Sequence, residues 1–151
     1  MSPTPLISVA LAILYQQGRF LLQLRDDIPT IIYPGQWGLF GGHLEGEETP
    51  TDGIQRELLE EIGHIPPQLD LWGCDRDERV MRYLFHGPLG LPVDSLVLGE
   101  GQDLALATLE DIVEGHCYSP RLGQERVLAA LHRRLLLAFW QTSPKIQSQT
   151  I

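Results

Sequence analysis

The sequence predicts a single mixed α/β sandwich, with a mixed sheet between helices. Three observations predict it: apolar strand-like runs flank a central helix, a second amphipathic helix closes the chain, and 151 residues with 43% hydrophobic content suit one core. Leu6–Tyr15 and Arg19–Arg25 read as two strands joined through a Gln-Gln-Gly turn. Asp26–Gln36, with paired aspartates, two prolines and Gly35, reads as a loop. Trp37–Phe40 is a short strand that Gly41-Gly42 breaks. The central helix runs from Thr49 to Ile62. Thr49 suits the N-cap, Pro50 the first helical position, Asp52 the first turn and Gly63 the stop. Ile54, Leu58, Leu59 and Ile62 form its core-facing stripe.

Gln68–Gly73 and Val80–His86 are further strands, and Pro88–Asp94 is a loop. Ser95–Leu98 and Leu104–Ala107 are expected as short strands, and Leu109–Val113 as a short helix. Gln124–Trp140 is expected as one long amphipathic helix, with Val127, Leu128, Leu131, Leu135 and Leu136 near helical spacing. Its end, Phe139-Trp140, serves either the sheet or a homodimer surface. The domain is expected over residues 1–141, with a polar tail over 142–151.

Lys and Arg total 11 against 20 Asp and Glu, a net charge of -9. Such a chain repels polyanions, which excludes long nucleic acid as a partner, while a small anion is admissible where a divalent cation screens the carboxylates. Two cysteines make no disulfide framework and read as reduced thiols in a cytoplasmic protein. The apolar run Leu6–Leu14 is too short to span a bilayer and has neither the basic residues before it nor the small-residue cleavage site after it that a leader needs, so no membrane is expected.

The informative segment is Gly41–Gly63. Glu57, Glu60 and Glu61 stand at i, i+3 and i+4, which on a helix puts three carboxylates on one face. Like charges at this spacing oppose helix formation by roughly 0.2–0.5 kcal/mol per pair. A hard divalent cation with oxygen ligands offsets that, and a solvated helix face is the plain alternative. Arg56 lies within the acidic run and Glu48 just before the helix, so an Arg–carboxylate pair can tie loop to helix. Gly41-Gly42 allows a backbone carbonyl to approach a metal closely.

These residues resemble the Nudix box. Gly42 is followed by five residues, Glu48, seven more residues, and Arg56-Glu57-Leu58-Leu59-Glu60-Glu61-Ile62-Gly63. The chain departs from the pattern at His64, where an apolar residue is usual, and at Glu45-Gly46-Glu47-Glu48, where the loop glycine stands one place early. The resemblance implies a Nudix hydrolase of MutT-like kind, with a Nudix α/β/α sandwich, that cleaves a diphosphate linkage in a nucleoside diphosphate derivative with Mg²⁺, or Mn²⁺ as substitute. It further implies Glu57, Glu60, Glu61 and the Gly41 carbonyl as metal ligands and Glu48–Arg56 as the orienting pair. Glu100-Gly101-Gln102 resembles a MutT-like segment, which makes Glu100 a further ligand or water-activating residue, or else a polar turn residue. A non-catalytic Nudix-like module that binds a nucleotide and regulates a partner is the alternative.

Arg25 is a candidate phosphate contact or a solvated strand end. Tyr33 and Trp37 are candidates to stack on a base, and Trp37 equally to pack beneath the loop. His43 and His116 are read as neither bases nor ligands. Phe40 stands where MutT-like enzymes usually carry proline, so nucleoside triphosphates, nucleotide sugars and dinucleoside polyphosphates all stay open as substrates.

Overall fold

A computed structural model describes residues 6–143; most of the expected polar tail, from 144 onward, lies outside the described residues. In chain order the elements are β1 (Ile7–Gln16), β2 (Arg19–Leu24), β3 (Trp37–Gly38), β4 (Phe40–His43), α1 (Pro50–Ile62), β5 (Asp70–Arg76), β6 (Val80–Pro88), a 3₁₀ turn (Val93–Ser95), β7 (Asp103–Ala107), α2 (Leu109–Glu114), β8 (His116–Ser119), β9 (Gln124–Val127) and α3 (Ala130–Thr142). The main sheet runs β3-β2-β1-β6-β5, with β4 paired to β1 and β7 to β2. Only β1–β6 is parallel, so the sheet is mixed.

Alternation along β1 builds the sandwich. Ala10, Ala12 and Leu14 face Ile54, Leu58 and Ile62 of α1, while Leu11, Ile13 and Tyr15 face Leu135, Leu136 and Phe139 of α3. Phe139 is thus used by the chain's own core. Leu59, expected on the core stripe, is 54% exposed, because its place on the helix turns it away from the sheet.

Four element expectations are corrected. Gln124–Val127 is a strand, not the start of the last helix. It forms a hairpin with β8 around Gly123, whose φ of +68° suits a turn, and Ser119 Oγ and the Arg121 amide anchor that turn on buried Asp103. Ser95–Leu98 is not a strand. The Val97 and Gly99 amides instead donate to the Ile62 and Glu61 carbonyls, satisfying the C-terminal end of α1. Gly41-Gly42 does not break a strand but lies inside β4; the break falls two residues earlier, at Leu39, where the chain passes from pairing with β2 to pairing with β1. The strand expected over Gln68–Gly73 is displaced to Asp70–Arg76 and carries an irregularity between Leu71 and Gly73. No helix of the described residues is long and apolar enough to cross a membrane.

Candidate active site

The site is built where α1 ends beneath β4. Thr49 Oγ1 accepts the Asp52 amide and Pro50 opens the helix, so α1 begins at a fixed place; Gly63 ends it in a left-handed conformation. Between these limits the helix phase delivers the glutamates to different depths. Glu61 joins the buried stripe at 3% exposure, Glu57 stands at its border and Glu60 is 47% exposed at its side chain. The expected single carboxylate face is therefore corrected: the three residues span the border between core and solvent.

β4 supplies the other wall. Its even residues pair with β1, as the Leu44 amide donating to the Ser8 carbonyl shows just past its end, so the odd amides point away from β1. The Gly41 amide donates to both Glu61 carboxylate oxygens, at 3.3 and 3.2 Å. Gly41 has φ +132° and an added Cβ would stand 1.9 Å from the Ala10 carbonyl oxygen, so only glycine fits. At Gly42 an added Cβ would meet Glu57 Oε1 at 2.6 Å: the Glu57 carboxylate rests directly on the strand.

Arg56 ties loop to helix. Its Nε and Nη2 donate to the two Glu48 oxygens at 2.8 and 3.0 Å, its Nη2 to the His43 carbonyl at 3.2 Å, and its Nη1 to Glu57 at 3.1 Å and Glu60 at 3.4 Å. The guanidinium hydrogen-bonded to Glu48 holds that carboxyl down to about 2. With this many partners Arg56 shapes the site and has no donor face left for a substrate.

Glu61 shows what the arrangement lacks. Burial first, then the Glu57 charge, push its carboxyl up to about 9, and burial also raises Glu57. Glu100 adds to the same effect. Its loop is fixed by the Gly99 amide on the Glu61 carbonyl and by Gln23 Nε2 donating to the Glu100 carbonyl at 2.9 Å. Among the described residues no three acidic, His or Cys side chains already converge on one point, since Arg56 draws Glu57 and Glu60 toward itself. The donor set is nonetheless all oxygen and short of positive charge at its buried member, which is the chemistry a hard divalent cation fits.

The three expected substrate residues separate. Trp37 is fully buried and its indole N–H donates to the Cys117 carbonyl at 2.8 Å, so it has no face to stack on a base. It packs in the core and ties β3 to β8 and to the segment before α3. Tyr33, at the unusual φ of +52°, and Arg25 do share one region: Arg25 Nε donates to the Ile32 carbonyl at 2.7 Å. His132 of α3 joins them and was not singled out in the sequence. Its Nδ1 accepts the Leu39 amide at 2.8 Å, and its ring stands edge-on to Tyr33 at 5.7 Å. Burial, with the charges of Arg25 and Arg82, lowers its pKa to about 4. No local motif marks it; its partner lies 93 residues away. His116 pairs with Glu114 and Glu125 on the surface. Both cysteines are free thiols.

Sandwich, clamped loop and glutamate-bearing helix together define a Nudix domain, and the NUDIX domain profile matches residues 4–116: the chain belongs to the Nudix family. It is similar to the nucleoside triphosphatase NudI of Escherichia fergusonii, with 32% identity over 79 residues, 50% of this chain and 55% of that relative. The chain thus matches about half the length of that relative. Its fold is similar to the MutT protein of Methanosarcina mazei Go1 (TM-score 0.68, 23% identity, 94% of this chain and 98% of that one). It is also similar to the NUDIX domain of Shewanella oneidensis NrtR complexed with ADP ribose (TM-score 0.66, 19% identity, 92% and 89%). At these identities the structural likeness is one of fold.

Proposed function

We propose that the chain is a Mg²⁺-dependent cytoplasmic pyrophosphohydrolase that cleaves a phosphoanhydride bond in a nucleoside diphosphate derivative or nucleoside triphosphate. The observation that carries this reading is the buried Glu61 carboxylate, shared between the Gly41 amide and Glu57 and lacking a countercharge. Glu57, Glu60, Glu61 and the Gly41 carbonyl would hold the cation, with Mn²⁺ as substitute, and Glu100 stands next to them. Water attacks one phosphorus of the anhydride as the bridging P–O bond breaks and the other phosphate leaves, and negative charge grows on the phosphoryl oxygens in the transition state. A bound divalent cation supplies positive charge there. The chain's own residues do the rest: Arg56 and Glu48 fix the loop, Glu100 would take a proton from water, and the free terminal amino groups of Arg25, unpartnered among the described residues, can meet a substrate oxygen. NudI-type nucleoside triphosphates lead the substrate screen because the relatives carry that name.

The test is a panel of nucleoside triphosphates, nucleotide sugars, ADP-ribose and dinucleoside polyphosphates with Mg²⁺ or Mn²⁺, with phosphate release and product masses as readouts. Turnover that falls by at least about 100-fold in Glu60→Gln, with the fold kept, is expected. Saturable nucleotide binding without turnover by the wild type would establish the regulatory-module reading instead.

A further inference from the structure

His132 reaches the site from α3, on the opposite face of the sheet from α1. A backbone amide only donates, so Nδ1, which takes the Leu39 N–H, is unprotonated and the neutral ring carries its proton on Nε2. That Nε2–H has no hydrogen-bond partner among the described residues. The one sealed side-chain polar atom without a partner among them is His64 Nε2, so His132 Nε2 is not fully closed off from solvent although the residue is only 7% exposed.

Its surroundings say what kind of ligand. Tyr33 presents an aromatic ring beside it at an interplanar angle of 69°. Arg25 lies on the same side of β3: an added Cβ on Gly38 would meet His132 Nδ1 at 2.7 Å and Arg25 Cδ at 3.8 Å. Leu39, which His132 holds, and Gly41, which Glu61 holds, are two residues apart across the step from β3 to β4, so their Cα atoms lie within about 7 Å of each other. A phosphate held through a cation on the carboxylates would therefore leave the nucleoside end of a nucleotide near the imidazole. A neutral ring adds no charge for a phosphate, but it offers one directed donor next to an aromatic side chain, which suits a planar base.

We propose that His132 is a specificity-determining residue whose Nε2–H donates to a hydrogen-bond acceptor on the substrate's nucleobase, with Tyr33 beside the same base. This rests on the reading that the substrate is a nucleotide. The competing role is structural: His132 merely holds Leu39.

The ¹⁵N-imidazole spectrum of the wild-type chain separates the two. We expect the Nε2–H tautomer in the free protein and a displaced Nε2 resonance with at least one of AMP, GMP, CMP and UMP, but not with ribose 5-phosphate, which lacks a base. His132→Asn, whose Oδ1 can replace Nδ1 toward Leu39 but leaves nothing at the Nε2 position, is expected to raise KM about ten-fold for the substrate found in the screen, with the loss concentrated in KM rather than kcat. An Nε2 resonance indifferent to every bound nucleotide overturns the proposal, and so does wild-type KM in His132→Asn. An equal response to ribose 5-phosphate moves the contact off the base and also overturns it. Response of Nε2 to a nucleotide in a protein that hydrolyses nothing sinks the hydrolase reading and leaves this one standing; absence of any nucleotide binding ends both. The spectrum is taken on the wild type, so it decides even where the variant fails to fold.

Discussion

Gly42→Ala isolates the contact between β4 and the glutamate-bearing helix α1. The added Cβ would stand 2.6 Å from Glu57 Oε1, 2.9 Å from its Cδ and 3.2 Å from Oε2, whereas ordinary contact begins at 3.4 Å. Going from 2.6 to 3.4 Å requires the carboxylate to retreat by about 0.8 Å. Its retreat is open, because the obstacle is the end of a side chain and Gly42 is not in the left-handed region. A displacement of about 1 Å in a catalytic constellation costs roughly 100-fold, so kcat/KM should fall by about that factor. The fold should survive: Gly→Ala at a permitted backbone position changes stability by about 1 kcal/mol or less, or about 2–4 °C in a domain of this size. Gly41→Ala is the contrast, since its Cβ meets backbone at 1.9 Å and its φ is +132°; it should fail to fold. The assay is steady-state hydrolysis alongside thermal unfolding. A folded Gly42→Ala protein with wild-type kcat/KM would show that Glu57 does no work where it stands.

Two further outcomes follow from buried polar groups. His132 titrates near 6.5 when unfolded and at about 4 when folded, so the unfolded chain takes up the proton first as the pH falls. Its contribution is complete above pH 6.5 and is lost on the way down to pH 4, a loss of about 3 kcal/mol, and urea midpoints should fall less steeply over that window in His132→Asn than in the wild type. Trp37→Phe removes the indole donor from the buried Cys117 carbonyl and should cost about 1–3 kcal/mol, read by chemical denaturation, while KM stays at the wild-type value because Trp37 is fully buried.

What the sequence shows and hides follows from how far apart the interacting residues lie. Thr49, Pro50 and Gly63 set the limits of α1 through contacts within a turn or so, and those limits are found in the structure. Glu48 and Arg56 are eight residues apart and meet as expected. Periodicity failed at the opposite end of the chain. Val127 and Leu128 fit a helical stripe with Leu131 and Leu135, yet Leu128 is bound by its amide to Gly115 and bridges to Trp37, and Val127 pairs with His116. The Pro120 to Gly123 segment carried the turn signal that competes with that periodicity. Trp37 misleads in a different way: an aromatic residue beside a glycine-rich strand has the same sequence appearance whether it faces a ligand or the core, and only the Cys117 carbonyl, 80 residues away, decides.

Glu100 shows that choosing a residue and choosing its element are separate inferences. The segment before it was expected as a strand, but its amides turn back to the carbonyls that end α1. That pairing, rather than a sheet, carries the loop to the end of α1. Close packing at Gly99, where an added Cβ would stand 2.0 Å from the Glu60 carbonyl oxygen, presses the backbone against the helix and leaves Glu100 close enough for its charge to act on Glu61. The helix thus gathers the site twice: its side chains point the glutamates toward β4, and its unsatisfied C-terminal carbonyls recruit the loop that brings one more.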